Sequence, residues 1–327
     1  MLTITALTPP NSPARAQEPS RPPLRVALVQ HRWNEDEDAL HAELLDGIAE
    51  AARQGARVVF LPELTLSRYP AFTAGGDSPG DHAEDLLTGP TFTFAAKAAA
   101  EHGLLVHASL YERNGEENGT RHADGLGYNT AILVSPSGEL VARTRKLHIP
   151  VTAGYYEDTY FRGGPATHEA YAVHAPDRLD GARIGMPTCW DEWFPEVARM
   201  YSLHGAEIIV YPTAIGSEPD HPDFDTQPLW QQVIVGNGIA NGTFMVVPNR
   251  YGDEGLITFY GSSFISDPYG RVLVQAPRDE SAVLVADLDL AQREDWLTLF
   301  PFLATRRPDT YGRLTAPVET EHPLGWS

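Results

Sequence analysis

The sequence predicts an α/β protein built on a mixed sheet, and three observations carry that expectation. From residue 24 onward, short β-rich runs alternate with amphipathic helical stretches, the pattern of a sheet with helices packed against it. Two hairpin signals, Pro136-Ser137-Gly138 and Pro268-Tyr269-Gly270, interrupt the crossover units and make the sheet mixed rather than purely parallel. The 327 residues are 42% hydrophobic and 9% aromatic, enough to fill a large core and to exclude general disorder.

The elements follow in order. Residues 25–30 read as a buried strand. Asn34 is placed to cap the helix that follows, with Glu35, Asp36, Glu37 and Asp38 in its first turn, where the helix dipole favours acids. Leu40, Leu44, Ile48 and Ala52 recur every four residues, Leu45 and Ala49 widen the stripe, and Gly55 ends it. Strand 58–61, a helix over 94–102 and strand 104–110 come next, then the hairpin 131–134 with 140–143. The second half repeats this alternation, with strand 182–186, helix 195–204, strand 207–211, helix 229–240 and strand 244–247. A second hairpin pairs 264–266 with 271–274, and 282–288 is a late strand.

No linker-like stretch follows residue 23, so one domain is the simplest organisation. Residues 1–23 are rich in Pro, Ser and Thr and read as a disordered tail. Ala14-Arg15-Ala16 resembles a signal cleavage site only superficially, because the stretch before it lacks a basic start and is broken by Pro9, Pro10 and Pro13. No apolar run is long enough to span a membrane.

Charge and cysteine content exclude whole classes of function. The chain has 24 basic and 44 acidic side chains, a formal charge of −20, which argues against nucleic acid as a partner and otherwise serves solubility. A single cysteine rules out an intrachain disulfide and any multi-cysteine metal cluster, and fits a reducing, cytoplasmic setting. The twelve histidines are scattered without paired ligand spacing. Asp220-His-Pro-Asp-Phe-Asp225 lacks the Gly and Glu of a calcium loop and reads as a solvated acidic loop. Gly125-Leu-Gly-Tyr-Asn129 is no dinucleotide fingerprint, and Gly261-Ser-Ser263 is no serine elbow. No metal or cofactor is expected.

The lone cysteine, Cys189, lies in Ile184-Gly-Met-Pro-Thr-Cys-Trp-Asp-Glu-Trp-Phe-Pro-Glu196, where a strand ends and a helix begins. Such an elbow can lower a thiol's pKa and offer backbone N–H groups to an oxyanion. The alternative for a single cysteine is burial as a small hydrophobe. Glu63, in Phe60-Leu-Pro-Glu-Leu64, and Lys146, in Arg145-Lys-Leu-His-Ile-Pro150, each close another strand. A carboxylate can take the thiol's proton, and an ammonium can stabilise developing negative charge. Glu112, ending strand 104–110, is a rival carboxylate that we read as structural.

At these three segments the chain resembles the nitrilase, or carbon–nitrogen hydrolase, superfamily, whose active site is a Glu-Lys-Cys triad in the order Glu63, Lys146, Cys189. The resemblance spans about residues 24–314 and leaves 315–327 as a C-terminal tail. It implies a four-layer α-β-β-α sandwich of the nitrilase type, homo-oligomeric packing, and a second glutamate in the loop after the lysine. That glutamate matches Glu157 in Gly154-Tyr-Tyr-Glu-Asp-Thr-Tyr-Phe161.

Tyr211-Pro-Thr-Ala-Ile-Gly-Ser-Glu-Pro219, Ile257-Thr-Phe-Tyr-Gly261 and Arg307-Pro-Asp-Thr-Tyr311 are similar to the branch that hydrolyses N-carbamoylputrescine. The resemblance thus implies a small N-carbamoyl amine or amide as substrate. Relatives that cleave N-carbamoyl amino acids carry arginine just past the cysteine, whereas this chain has Asp191 and Glu192, which would disfavour a carboxylate. Trp190, Asp191 and Glu192 are expected at the substrate, with the N–H of Trp190 at the oxyanion, and Glu218 matches the amine-binding glutamate. His148 is expected to orient the lysine loop. Val151-Thr152-Ala153 and Asn237 depart from the family pattern at positions expected to line the pocket.

Overall fold

The computed structural model describes residues 1–114 and 124–318. Two mixed sheets stack face to face, with helices on both outer faces. The first sheet holds β1 (Leu2–Ala6), β2 (Leu24–Gln30), β3 (Val58–Phe60), β4 (Leu105–Glu112), β5 (Tyr128–Val134) and β6 (Leu140–Arg145), with strand Ala282–Leu288 between β1 and β2. In the second sheet the order is Val272–Gln275, Phe264–Ser266, Phe244–Val247, Ile208–Val210, Ile184–Gly185, Val173–His174.

Side-chain alternation explains the layers. Val26, Leu28 and Phe60 of the first sheet meet Ile208, Val210 and Val246 of the second in one core. Ala27, Val29 and Val59 point the other way, onto Leu40, Leu44 and Ile48 of α1 (Glu37–Arg53) and Ala95 and Ala98 of α2 (Pro90–His102). On the far side Ile209, Met245 and Val247 pack against Val197 and Tyr201 of α3 (Pro195–Leu203) and Trp230 and Ile234 of α4 (Gln227–Asn241). Strands buried on both faces read as apolar runs, because each successive side chain enters a different core. The architecture is the four-layer α-β-β-α sandwich.

Three differences from the sequence expectation have physical causes. Residues 2–6 are not disordered: β1 pairs in parallel with Ala282–Leu288 at five positions, and Ile4 and Ala6 face the inter-sheet core. The chain beyond β1 is tied down as well. Asp295 accepts from Ser12 Oγ (2.7 Å) and Arg15 Nε (2.8 Å), and Gln292 donates to the Pro10 carbonyl (2.9 Å). The cap of α1 is Asp36 rather than Asn34, its Oδ1 accepting from the N–H groups of Asp38 and Ala39. A fifth helix, α5 (Ala291–Leu299), follows the last strand and supplies Asp295 and Gln292 to that contact. Of the expected C-terminal tail, residues 319–327 lie outside the described residues.

A smaller cluster of Leu64, Tyr69, Tyr155, Tyr160 and Phe259 fills the space past the strand ends. There β3, β6 and Ile184–Gly185 deliver Glu63, Lys146 and Cys189, at the carboxyl end of the sheet where α/β sites form.

Candidate active site

Glu63 leaves β3 through Leu61-Pro62 on a loop laced to β4. The N–H of Thr65 donates to the Ser109 carbonyl (2.9 Å), and that of Leu64 to Ser109 Oγ (3.1 Å). Its Oε1 accepts from Asn129 Nδ2 (2.7 Å) and Lys146 Nζ (3.0 Å), while its Oε2 is buried with no protein partner. Lys146 is fully buried and also donates to Glu157 Oε2 (2.7 Å). The other oxygen of Glu157 accepts from the Tyr69 hydroxyl (2.8 Å). One ammonium thus stands between two carboxylates.

Cys189 opens a short 3-10 turn with φ at 44°, in the left-handed region. Such backbone in a non-glycine residue costs about 1–3 kcal/mol and marks sites where the surroundings over-determine the geometry. Here the Cys189 N–H donates to the Pro212 carbonyl (3.0 Å). The thiol is buried within reach of the charges of Glu63, Lys146 and Glu157.

Electrostatics reverse one sequence expectation. Burial, with the nearby carboxylate of Glu63, pushes the Cys189 thiol well above its ordinary value, and Lys146 offsets this only in part. The resting group is therefore a neutral thiol, not a preformed thiolate. Burial by itself would lower the Lys146 ammonium, but the charges of Glu157 and Glu63 outweigh it and hold it well above the usual lysine range. Burial raises Glu157 to about 7, against the opposing pull of Lys146.

A cavity of about 370 Å³ opens over Cys189, bounded by Tyr155, Glu157, Trp190, Trp193, Ile215 and Glu218 among others. A larger one, about 700 Å³, lies behind the Glu63 loop around Trp33, Arg68 and Glu84 and contains none of the triad. Reactive groups, not volume, identify the site. Among the described residues no group of three His, Cys, Asp or Glu side chains is arranged to hold a metal ion.

A sequence model of the family described as "Carbon-nitrogen hydrolase" matches residues 25–297. The chain belongs to the carbon–nitrogen hydrolase family. It is 34% identical over 296 residues to the citrullinase of Francisella tularensis, covering 89% of this chain and 98% of that protein. It is 35% identical over 276 residues to the N-carbamoylputrescine amidase of Arabidopsis thaliana, covering 81% and 86%. The crystal structure of a carbon–nitrogen hydrolase from Helicobacter pylori G27 superposes with a TM-score of 0.74 at 27% identity, covering 89% of this chain and 98% of that one.

In this carbon–nitrogen hydrolase the four residues expected from the sequence to be catalytic converge, but two expected substrate contacts do not reach the cavity. Asp191 is buried and turns away from the cavity. It accepts from the N–H of His148 (2.9 Å), His148 Nδ1 (2.7 Å), the N–H of Leu147 (3.3 Å) and that of Thr188 (3.2 Å). It ties the lysine loop to the cysteine turn, and His148 takes part through that bond and by stacking on Phe194 at 3.8 Å. Glu192 is buried against Trp230 Nε1 (2.8 Å) and Thr213 Oγ1 (3.3 Å), and burial raises its carboxyl well above the usual range. A 3-10 turn presents successive side chains about a third of a turn apart, so Trp190 faces the cavity while these two face the protein.

Glu218 lines the cavity, half-buried, with Oε1 accepting from Thr226 Oγ1 (3.2 Å). The acidic loop after it is more than a solvated stretch, because His221 and Phe224 form part of the cavity wall. Thr152 also lines it, whereas Asn237 does not and donates to the Glu192 carbonyl (3.0 Å). Glu112 is structural: it accepts from Thr130 Oγ1 (2.6 Å) and two Arg145 nitrogens. Sequence reasoning missed Tyr69, Asn129 and Tyr155, since a tyrosine or asparagine in a loop or strand carries no local signal of the carboxylate or cavity it meets. Among the described residues no helix is long and apolar enough to cross a membrane.

Proposed function

We propose that this protein hydrolyses N-carbamoyl amines, N-carbamoylputrescine first among them, to the free amine, CO2 and ammonia. The free Oε2 of Glu63 takes the proton of Cys189, and the thiolate attacks the ureido carbonyl. Lys146 and the N–H of Trp190 hold the oxyanion. The tetrahedral intermediate breaks its bond to the terminal nitrogen, which leaves as ammonia with the proton from Glu63. A carbamoyl thioester that still carries the amine remains on Cys189. Water, positioned by Glu157 and deprotonated by Glu63, releases the thiol and a carbamate, which decomposes to CO2 and the amine.

The observation that carries this reading is Glu218, a carboxylate that shares the cavity over Cys189 with the apolar Trp193, Ile215, Phe224 and Leu229. A cation on the distal end of the substrate matches it. The similarity to N-carbamoylputrescine amidases supports the same choice.

A second reading has its own observation. With Asp191 and Glu192 turned away from the cavity, neither side chain is placed to repel a carboxylate-bearing substrate. His221 lines the cavity near enough to Glu218 for their charges to interact. An ammonium on Glu218 and a carboxylate at His221 would accommodate a ureido amino acid, in keeping with the citrullinase relative.

Ammonia release from N-carbamoylputrescine, citrulline and N-carbamoyl-β-alanine separates these outcomes. The first reading expects the highest kcat/KM on N-carbamoylputrescine. Preference for N-carbamoyl-β-alanine, which has no distal cation, would refute both roles given to Glu218.

A further inference from the structure

The two carboxylates that flank Lys146 come from separate loops, yet one buried ion pair reaches both. Arg250 lies just past strand Phe244–Val247, its side chain fully buried. Nη2 donates to the carbonyl oxygens of Glu63 (2.8 Å), Leu64 (2.9 Å) and Ser67 (3.1 Å). Nη1 donates to Glu254 Oε1 (2.7 Å). The other oxygen of Glu254 accepts the N–H of Tyr69 (2.9 Å), and the hydroxyl of Tyr69 donates to Glu157.

Leu64, directly after Glu63, has φ at 48°. A left-handed leucine persists only where its surroundings hold it, and the guanidinium gripping the carbonyls on both sides of that peptide is such a hold. Phe259 packs against the same unit, with the guanidinium 5.4 Å from its ring centroid and its ring T-shaped to that of Tyr69, centroids 5.8 Å apart. A buried ion pair is weak evidence for stability, because desolvation cancels most of the attraction. Geometry is the better account of this one.

We propose that the Arg250–Glu254 pair is a positioning device for both carboxylates. Arg250 sets the backbone that carries Glu63, and Glu254 sets Tyr69, which sets Glu157. The inference rests on the reading of Glu63 as the base for Cys189. Neither member of the pair is among the cavity-lining residues, so its loss acts on kcat and leaves KM close to wild type.

Glu254→Gln keeps the shape of the side chain and removes its charge, and Tyr69→Phe removes only the hydroxyl. For each, kcat and KM are measured by ammonia release per titratable Cys189, so that an unfolded fraction drops out of the count. The expected fall in kcat is roughly 10- to 100-fold, the penalty for a small misplacement of a reacting group. A substrate-free arm follows alkylation of Cys189 by iodoacetamide against pH in wild type, Glu63→Gln and Glu254→Gln. Glu254→Gln is expected to slow alkylation in the direction of Glu63→Gln. Wild-type kcat in both positioning variants would overturn the proposal, as would slowing in Glu63→Gln with none in Glu254→Gln. No slowing in Glu63→Gln would overturn the base assignment itself, and the positioning claim with it.

Discussion

At the residue scale, Glu63, Lys146, Glu157 and Cys189 form one buried cluster in which a single ammonium bridges two carboxylates beside the thiol. The thiol rests neutral, so its activation is a proton transfer during attack rather than an equilibrium thiolate. In the proposed mechanism Glu63 accepts that proton, since Lys146 and Asn129 occupy one of its oxygens and leave the other open. Glu63→Gln is expected to lower kcat by roughly 10²–10⁴-fold, the usual worth of a general base, in steady-state ammonia release. Glu157 adds a stability signature. Its carboxyl is raised from 4.5 to about 7 in the folded protein, so the folded state binds that proton more tightly than the unfolded chain. The stabilisation is complete below about pH 4.5 and is lost as pH rises through about 7. Glu157→Gln, neutral throughout, should flatten this decline in urea-unfolding free energies measured across that window, and an unchanged decline would contradict it.

The triad side chains are legible one by one in the sequence, each closing a β-rich run with a group of distinct chemistry. What adjacency to Cys189 does not convey is orientation. Asp191 and Glu192 differ from Trp190 by one and two positions in a tight turn, and that rotation decides whether a carboxylate meets substrate or backbone. The thiol's environment escapes the sequence for a related reason. The elbow is visible, but the carboxylates packed around it come from distant segments.

At the element scale, the loop from Glu218 to Thr226 is where we propose that specificity is set. Its ends are fixed by the Thr226–Glu218 hydrogen bond and the Asp225–Arg278 ion pair (2.8 Å), and its middle places His221 and Phe224 on the cavity. Glu218→Gln should raise KM for a substrate with a distal ammonium by roughly 10- to 100-fold, the worth of a hydrogen bond to a charged group, while kcat holds. The same variant should leave a substrate without a distal cation unchanged, and an equal effect on both would contradict the assignment. Strands such as Phe244–Val247 and Ala282–Leu288 are readable to the residue, since turn residues bound them sharply. Boundaries blur where two capping residues compete, as with Asn34 and Asp36, and α5 escapes notice because its apolar stripe is weak.

At the scale of the whole molecule, the alternation of strands and helices is enough to predict an α/β core, but not its division into two stacked sheets. Pairing partners are set by contacts between distant residues, so the four layers are reached through family resemblance. The N-terminal segment shows the same limit. Leu2, Ile4 and Ala6 alternate with Thr3 and Thr5 as a strand should, but the prolines that follow outweigh that short signal. In the fold, β1 covers the edge of Ala282–Leu288, and an uncovered edge invites association. Deleting residues 1–16 should lower Tm by several degrees and promote aggregation, with ammonia release per folded molecule unchanged. A deletion variant with wild-type Tm would contradict that role.

In the proposed mechanism Cys189 carries the substrate as a thioester. Its most direct test is ammonia release from N-carbamoylputrescine by Cys189→Ala, purified free of wild-type enzyme and verified as folded. The expected kcat is lower by at least roughly 10³-fold, because the covalent route is lost. Turnover near the wild-type rate would contradict it.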